Sequence, residues 1–160
     1  MPNSPAPLQG VSIETLFHGT LIVLPPGING SYGVGEDRET GRGCFISTAE
    51  LKQFKRDAHL NLIEQNQKGA CNWEKIFEII NHNERTRKNK ILLTLTLDFY
   101  YRTLLKQDED GGVKVVQDVV CEYVGFNDNL VKRLEVEKHA DPINPRCEIT
   151  LSVYQKKEVR

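Results

Sequence analysis

Between Gly27 and Gly43, half of the chain's twelve glycines fall within seventeen residues, together with Asn29, Ser31 and Asp37. Glycine opens backbone conformations that helices and strands do not use, so this stretch reads as a loop. The regular elements must form on either side of it. Before it, Thr15 to Leu24 (TLFHGTLIVL) is rich in β-branched and apolar residues and stops at Pro25-Pro26-Gly27, which predicts a strand entering a turn. After it, Cys44 to Ser47 reads as a short apolar strand. Thr48 is placed to cap a helix that opens Ala49-Glu50-Leu51, with an acid in the favoured first turn.

Leu51, Phe54, Ala58, Leu62 and Ile63 keep helical spacing, while Lys52, Lys55, Arg56 and Asp57 take the other side, and Gly69 marks the end. Asn72 then caps a second helix with apolar positions Trp73, Ile76, Phe77, Ile79 and Ile80. A polar run from His82 to Asn89 follows. Alternating Leu and Thr make Lys90 to Leu105 a long or bent central strand, ended by the turn Gln107 to Gly112. Val113 to Gly125 (VKVVQDVVCEYVG) reads as a further strand region and Cys147 to Tyr154 as the last strand. This order predicts an α+β fold, with a mostly antiparallel sheet and a central helical pair packed on one side. Residues 1 to 12, with three prolines and no periodicity, read as a flexible leader to a single domain over 13 to 160.

The 160 residues suit one hydrophobic core, and 39% apolar with 27% charged residues is the composition of a globular domain. The net charge of -1 supplies no global field toward nucleic acid or an anionic membrane, so an anionic ligand has to be held by local geometry. No apolar run is long enough to span a bilayer and the start lacks a signal core. A soluble, cytoplasmic protein is expected, with delivery by a non-classical secretion route left open. Cys44, Cys71, Cys121 and Cys147 form no C-x-x-C pair, so free buried thiols are expected and no metal.

His18 interrupts an apolar strand and is followed by Gly19 and Thr20, which sets a hydrogen-bonding ring beside backbone that a ligand can approach. Gly41-Arg42-Gly43-Cys44-Phe45-Ile46-Ser47-Thr48 leads two glycines into a strand that carries an aromatic and two hydroxyls. In that order the two elements resemble the ADP-ribosyltransferase superfamily in its His-Tyr-acid branch, both the poly(ADP-ribose) polymerase catalytic core and the rifamycin ADP-ribosyltransferases. Pro26-Gly27-Ile28-Asn29 and Tyr32-Gly33 echo the rifamycin type. The resemblance covers about residues 13 to 60.

It implies NAD as co-substrate and transfer of its ADP-ribose to a protein or small-molecule acceptor. His18 would bond the nicotinamide-side ribose, Gly19 would pair with the carboxamide and Phe45 would stack on the nicotinamide. Thr20, Tyr32, Arg42, Gly43 and Ser47 complete the implied nucleotide site, with Arg38 and Arg42 toward the pyrophosphate. Cleaving the bond to nicotinamide develops oxocarbenium charge on the ribose, which calls for a carboxylate. The acid expected here is Glu122, with Asp98, Asp108 and Asp110 as alternatives. Phe45 stands where the family has Tyr, which keeps stacking and removes a hydroxyl. A non-catalytic NAD or ADP-ribose module, and an effector or adaptor without a nucleotide site, therefore stand beside the transferase.

Overall fold

The computed structural model describes residues 14–26, 32–36, 39–41, 43–103 and 109–156, with the backbone alone described at 32–36, 43–47 and 109–111. The leader, the Pro-Gly-hydrophobic-Asn segment beyond Pro26, and Arg38, Arg42 and Asp108 lie outside the described residues. The elements run β1 (Thr15–Leu21), β2 (Tyr32–Glu36), β3 (Gly43–Ser47), α1 (Ala49–Gln67), α2 (Trp73–Arg85), β4 (Leu93–Tyr101), α3 (Glu109–Val124), β5 (Val131–Ala140) and β6 (Arg146–Val153), with a 3-10 turn at Asp128–Leu130. The chain is one α+β domain.

Its main sheet has the order β1-β6-β4-β5; β6 is antiparallel to both of its neighbours, and β5 is parallel to β4. β2 and β3 pair as a separate antiparallel hairpin. So the glycine-rich stretch read as a loop does contain a strand, and its glycines Gly33 and Gly35 sit within the ladder opposite Ile46 and Cys44.

The capping signals act as read. The Thr48 side chain accepts the Leu51 N–H at 3.2 Å, and Asn72 accepts that of Lys75 at 3.2 Å. α1 is closed by the Lys68 cap and Gly69, whose φ of 87° lies in the left-handed region that favours glycine. Its buried stripe is Leu51, Phe54, Ala58, Asn61 and Leu62, while α2 buries Ile76 and Ile79. Phe77 is exposed instead, and stacks on Trp73 at 5.6 Å.

The segment Val113 to Gly125 is not a strand. It lies in α3, which also absorbs the end of the expected turn at Glu109 to Gly112. Val116, Val120 and Val124, with Val115 and Val119 beside them, fall at helical spacing and are all buried in the core. Packing of that stripe outweighs the β preference of the individual valines. α3 also supplies what a parallel β4–β5 pair requires, a helical crossover between the two strands.

One face of the sheet is apolar and carries the helices. Leu93, Leu95, Leu97, Phe99 and Tyr101 of β4, Cys147, Ile149 and Leu151 of β6, and Phe17 and Leu21 of β1 are buried in one cluster with residues of α1, α2 and α3. The alternate residues of the same strands face the other way. Cys121 and Cys147 are buried free thiols and Cys71 is partly buried; burial pushes the Cys121 thiol up to about 11, which leaves it unreactive at neutral pH. No described helix is long and apolar enough to cross a membrane.

Gly19 belongs to the packed face. A Cβ there would lie 2.8 Å from Cζ of the fully buried Phe17 ring and 3.2 Å from Oε1 of Gln65. Gly19→Ala is expected to destabilise the domain by about 1–3 kcal/mol, because an enclosed ring has little room to yield. Urea unfolding measures this, and an unchanged midpoint would mean that Phe17 is free to move.

Candidate functional site

β1 is an edge strand whose outward amides are taken one by one by the helical layer. His18 N–H donates to the Ala70 carbonyl (3.0 Å), Thr20 N–H to Gln65 Oε1 (3.1 Å) and Ile22 N–H to Asn61 Oδ1 (2.7 Å). Returning the favour, Asn72 N–H donates to the Leu16 carbonyl (2.8 Å). With its edge satisfied, β1 is not open to another strand. Strand alternation turns Gly19's own N–H and C=O toward β6, where Ile149 is its partner. A carboxamide pairing at Gly19 therefore has to displace a ladder bond.

His18 is exposed on the sheet face opposite the helices. It registers with Thr150, and since the His18 amide points away from β6 the two form a non-hydrogen-bonded pair, in which side chains approach most closely. Its Nδ1 and Thr150 Oγ1 are hydrogen-bonded at 3.0 Å. That bond fixes the ring and leaves Nε2 as the free edge among the contacts described.

The register extends this face into rows. His18, Thr150, Thr96 and Glu135 form one; Thr20, Glu148, Asp98 and Glu137 form the next; Arg146, Tyr100 and His139 form a third. Glu148 is the diagonal neighbour of His18, a relation that sets side chains about 7–8 Å apart at the backbone and within reach of long ones. Asp98 shares the face but stands one strand further off.

Glu148 Oε1 accepts from Arg146 Nε (2.9 Å), and Arg146 also donates to Asp141 Oδ2 (2.9 Å). The Arg146 guanidinium lies 3.8 Å from the centre of the Tyr100 ring, which stacks on His139 at 4.5 Å. Burial first, then the Glu148 and Asp98 carboxylates, push the Tyr100 phenol up. Backbone amides from Asn144, then Arg146, hold the Asp141 carboxyl below the usual range. What Asp141 contributes to stability is thus present at neutral pH and lost as the pH falls through and below the carboxylate range.

Glu122 is elsewhere. It is exposed on α3, in a cavity of about 740 Å³ lined by Lys55, Arg56 and His59 of α1 and by Val119 and Tyr123. The expected strand position for this acid is overturned by α3, and the residue belongs to the helical layer on the opposite side of the sheet from His18. The backbone of Asp110 likewise lies in α3. Tyr32, Gly43, Phe45 and Ser47 lie on the β2–β3 hairpin, with Tyr32 opposite Ser47, Val34 opposite Phe45 and Glu36 opposite Gly43.

Glu148 is the functional candidate that local sequence patterns do not single out. It alternates with apolar residues in CEITLSVY as any half-exposed strand acid does, and only the β1–β6 register, which joins residues 132 apart at His18 and Thr150, makes it a diagonal neighbour of the histidine. No family model matches the chain, and no curated protein matches it.

Proposed function

We propose that this domain binds NAD on the open sheet face around His18 and transfers the ADP-ribose to an acceptor, with Glu148 rather than Glu122 as the acid. The observation that carries the reading is an exposed, Thr150-pinned His18 on the sheet face away from the helices, with Glu148 as its diagonal neighbour in the β1–β6 register. It gains support from the hairpin carrying Phe45, which follows β1 in the chain order of the resembled family.

In this reading His18 Nε2 bonds the nicotinamide-side ribose. The bond between ribose C1 and the nicotinamide nitrogen breaks, its electron pair leaves with neutral nicotinamide, and positive charge grows on the ribose. The Glu148 carboxylate faces that charge, and an acceptor nucleophile closes the new bond at C1 and gives up its proton to solvent. Arg146 orients Glu148 without neutralising it, since the guanidinium is shared with Asp141. The resemblance assigns the stacking on nicotinamide to Phe45 and the pyrophosphate to Arg38 and Arg42.

The test is incubation of the purified protein with NAD labelled in the nicotinamide. Calorimetric binding together with nicotinamide release is expected, and the absence of both refutes the proposal in favour of an effector or adaptor. The hydroxyl missing at Phe45 favours a second reading, a module that binds NAD or ADP-ribose without turnover. That version shows affinity, leaves NAD intact, and gains nothing from Phe45→Tyr.

A further inference from the structure

We propose a divalent transition-metal site at Asp98, Glu137 and His139, on the β4–β5 side of the open face and independent of the NAD reading. Asp98 registers opposite Glu137 in the parallel β4–β5 ladder, and His139 follows two residues later on the same face of β5. One ligand atom from each of the three falls within 4.8 Å of the other two. His139 Nε2 is 3.0 Å from Asp98 Oδ1 and 3.7 Å from Glu137 Oε2. An ion with bonds of about 2.1 Å spaces neighbouring ligands by about 3.0 Å in an octahedron and about 3.4 Å in a tetrahedron. The two observed separations bracket those edges.

The charge balance points the same way. Two carboxylates converge on a single ring nitrogen, which carries at most one proton and can hydrogen-bond well to only one of them. The Arg146 guanidinium lies across the Tyr100 ring from His139 and is engaged by Asp141 and Glu148. Lys138 faces the helical side of the sheet, 6.0 Å from the Tyr101 ring centre. A dication in place of the one proton satisfies both carboxylates and the nitrogen together.

The ring is also oriented in advance. Stacking on Tyr100, itself capped by Arg146, occupies one face of the imidazole and leaves its Nε2 edge toward the acids. One imidazole with two carboxylates suits zinc or manganese better than a thiolate-seeking ion, and the half-exposed position leaves room for water or a further ligand. Glu148, the register partner of Asp98 on β6, borders the site.

Tag-free, chelator-treated protein titrated with zinc chloride tests the proposal by calorimetry and by histidine side-chain NMR. Saturable one-to-one binding with micromolar affinity is expected, with the His139 ring signals shifting and those of His18, His59 and His82 unmoved. Glu137→Gln, at a side chain 76% exposed and so safe for folding, should weaken binding at least about tenfold, as should Asp98→Asn and His139→Gln. Absence of saturable binding, equal affinity in Glu137→Gln, or shifts confined to another histidine overturns the site and leaves His139 and Asp98 as a plain ion pair.

Discussion

Glu148→Gln is expected to lower nicotinamide release from NAD by about 10²–10³-fold, the usual cost of removing one preorganised group from a developing charge. Glutamine keeps the size of the side chain and an acceptor for Arg146 Nε, so the third row of the sheet face survives the change. The loss should appear in kcat with KM little altered, because the carboxylate meets charge that exists only as the glycosidic bond breaks. Glu122→Gln should leave turnover unchanged, since that residue lies with Lys55, Arg56 and His59 on the helical layer. Steady-state assays of the two variants side by side check the assignment. A loss in Glu122→Gln with none in Glu148→Gln would return the acid to α3.

Leu97→Ala is expected to cost about 2–5 kcal/mol, a large share of what holds a domain of this size together. Leu97 is fully buried on an inner strand of the sheet, with Ile149 and Val136 as its register partners, so truncation leaves a cavity in the core. Thr96→Ala, one residue away on the opposite face, should stay within about 0.5 kcal/mol. Chemical denaturation of the two variants separates the core face from the open face. Comparable losses in both would mean that the face bearing His18 is packed as tightly as the other.

The local signals in this sequence carried the elements they control directly. Thr48 and Asn72 act as caps because a side-chain oxygen three residues before a free amide is a short-range device. The Leu-Thr alternation from Leu93 marks β4 because one of its faces is apolar and the other polar. α3 was misread because valine-rich text looks extended when each residue is weighed alone; the spacing of Val116, Val120 and Val124 held the helical answer.

That misreading hid β5 as well. With a strand at Val113 to Gly125 there is no crossover, and without a crossover β4 and β5 cannot run parallel. β5 itself carries Lys138 on the same side as Leu134 and Val136, and its register shifts at Lys132, so charge and irregularity dilute the alternation that marks a half-buried strand. At the site, the hydrogen-bonding ring of His18 within a strand was legible from adjacent residues, whereas Gly19, expected to offer open backbone, is buried and paired with β6. The partners of His18 were not legible: Thr150, Glu148 and the Asp98, Glu137 and His139 cluster meet through strand register, which neighbouring residues do not encode.

The chain's four histidines report on four separate places: His18 on the open face, His139 beside Asp98, His59 in the cavity with Glu122, and His82 bonded to the Asn89 carbonyl. Titrating NAD into protein with isotope-labelled histidine side chains, and following the four rings by NMR, locates the nucleotide directly. A saturable shift of His18 with His59 and His82 unmoved is the predicted result. Shifts at His59 with a silent His18 would contradict it and move the nucleotide to the helical layer around Glu122.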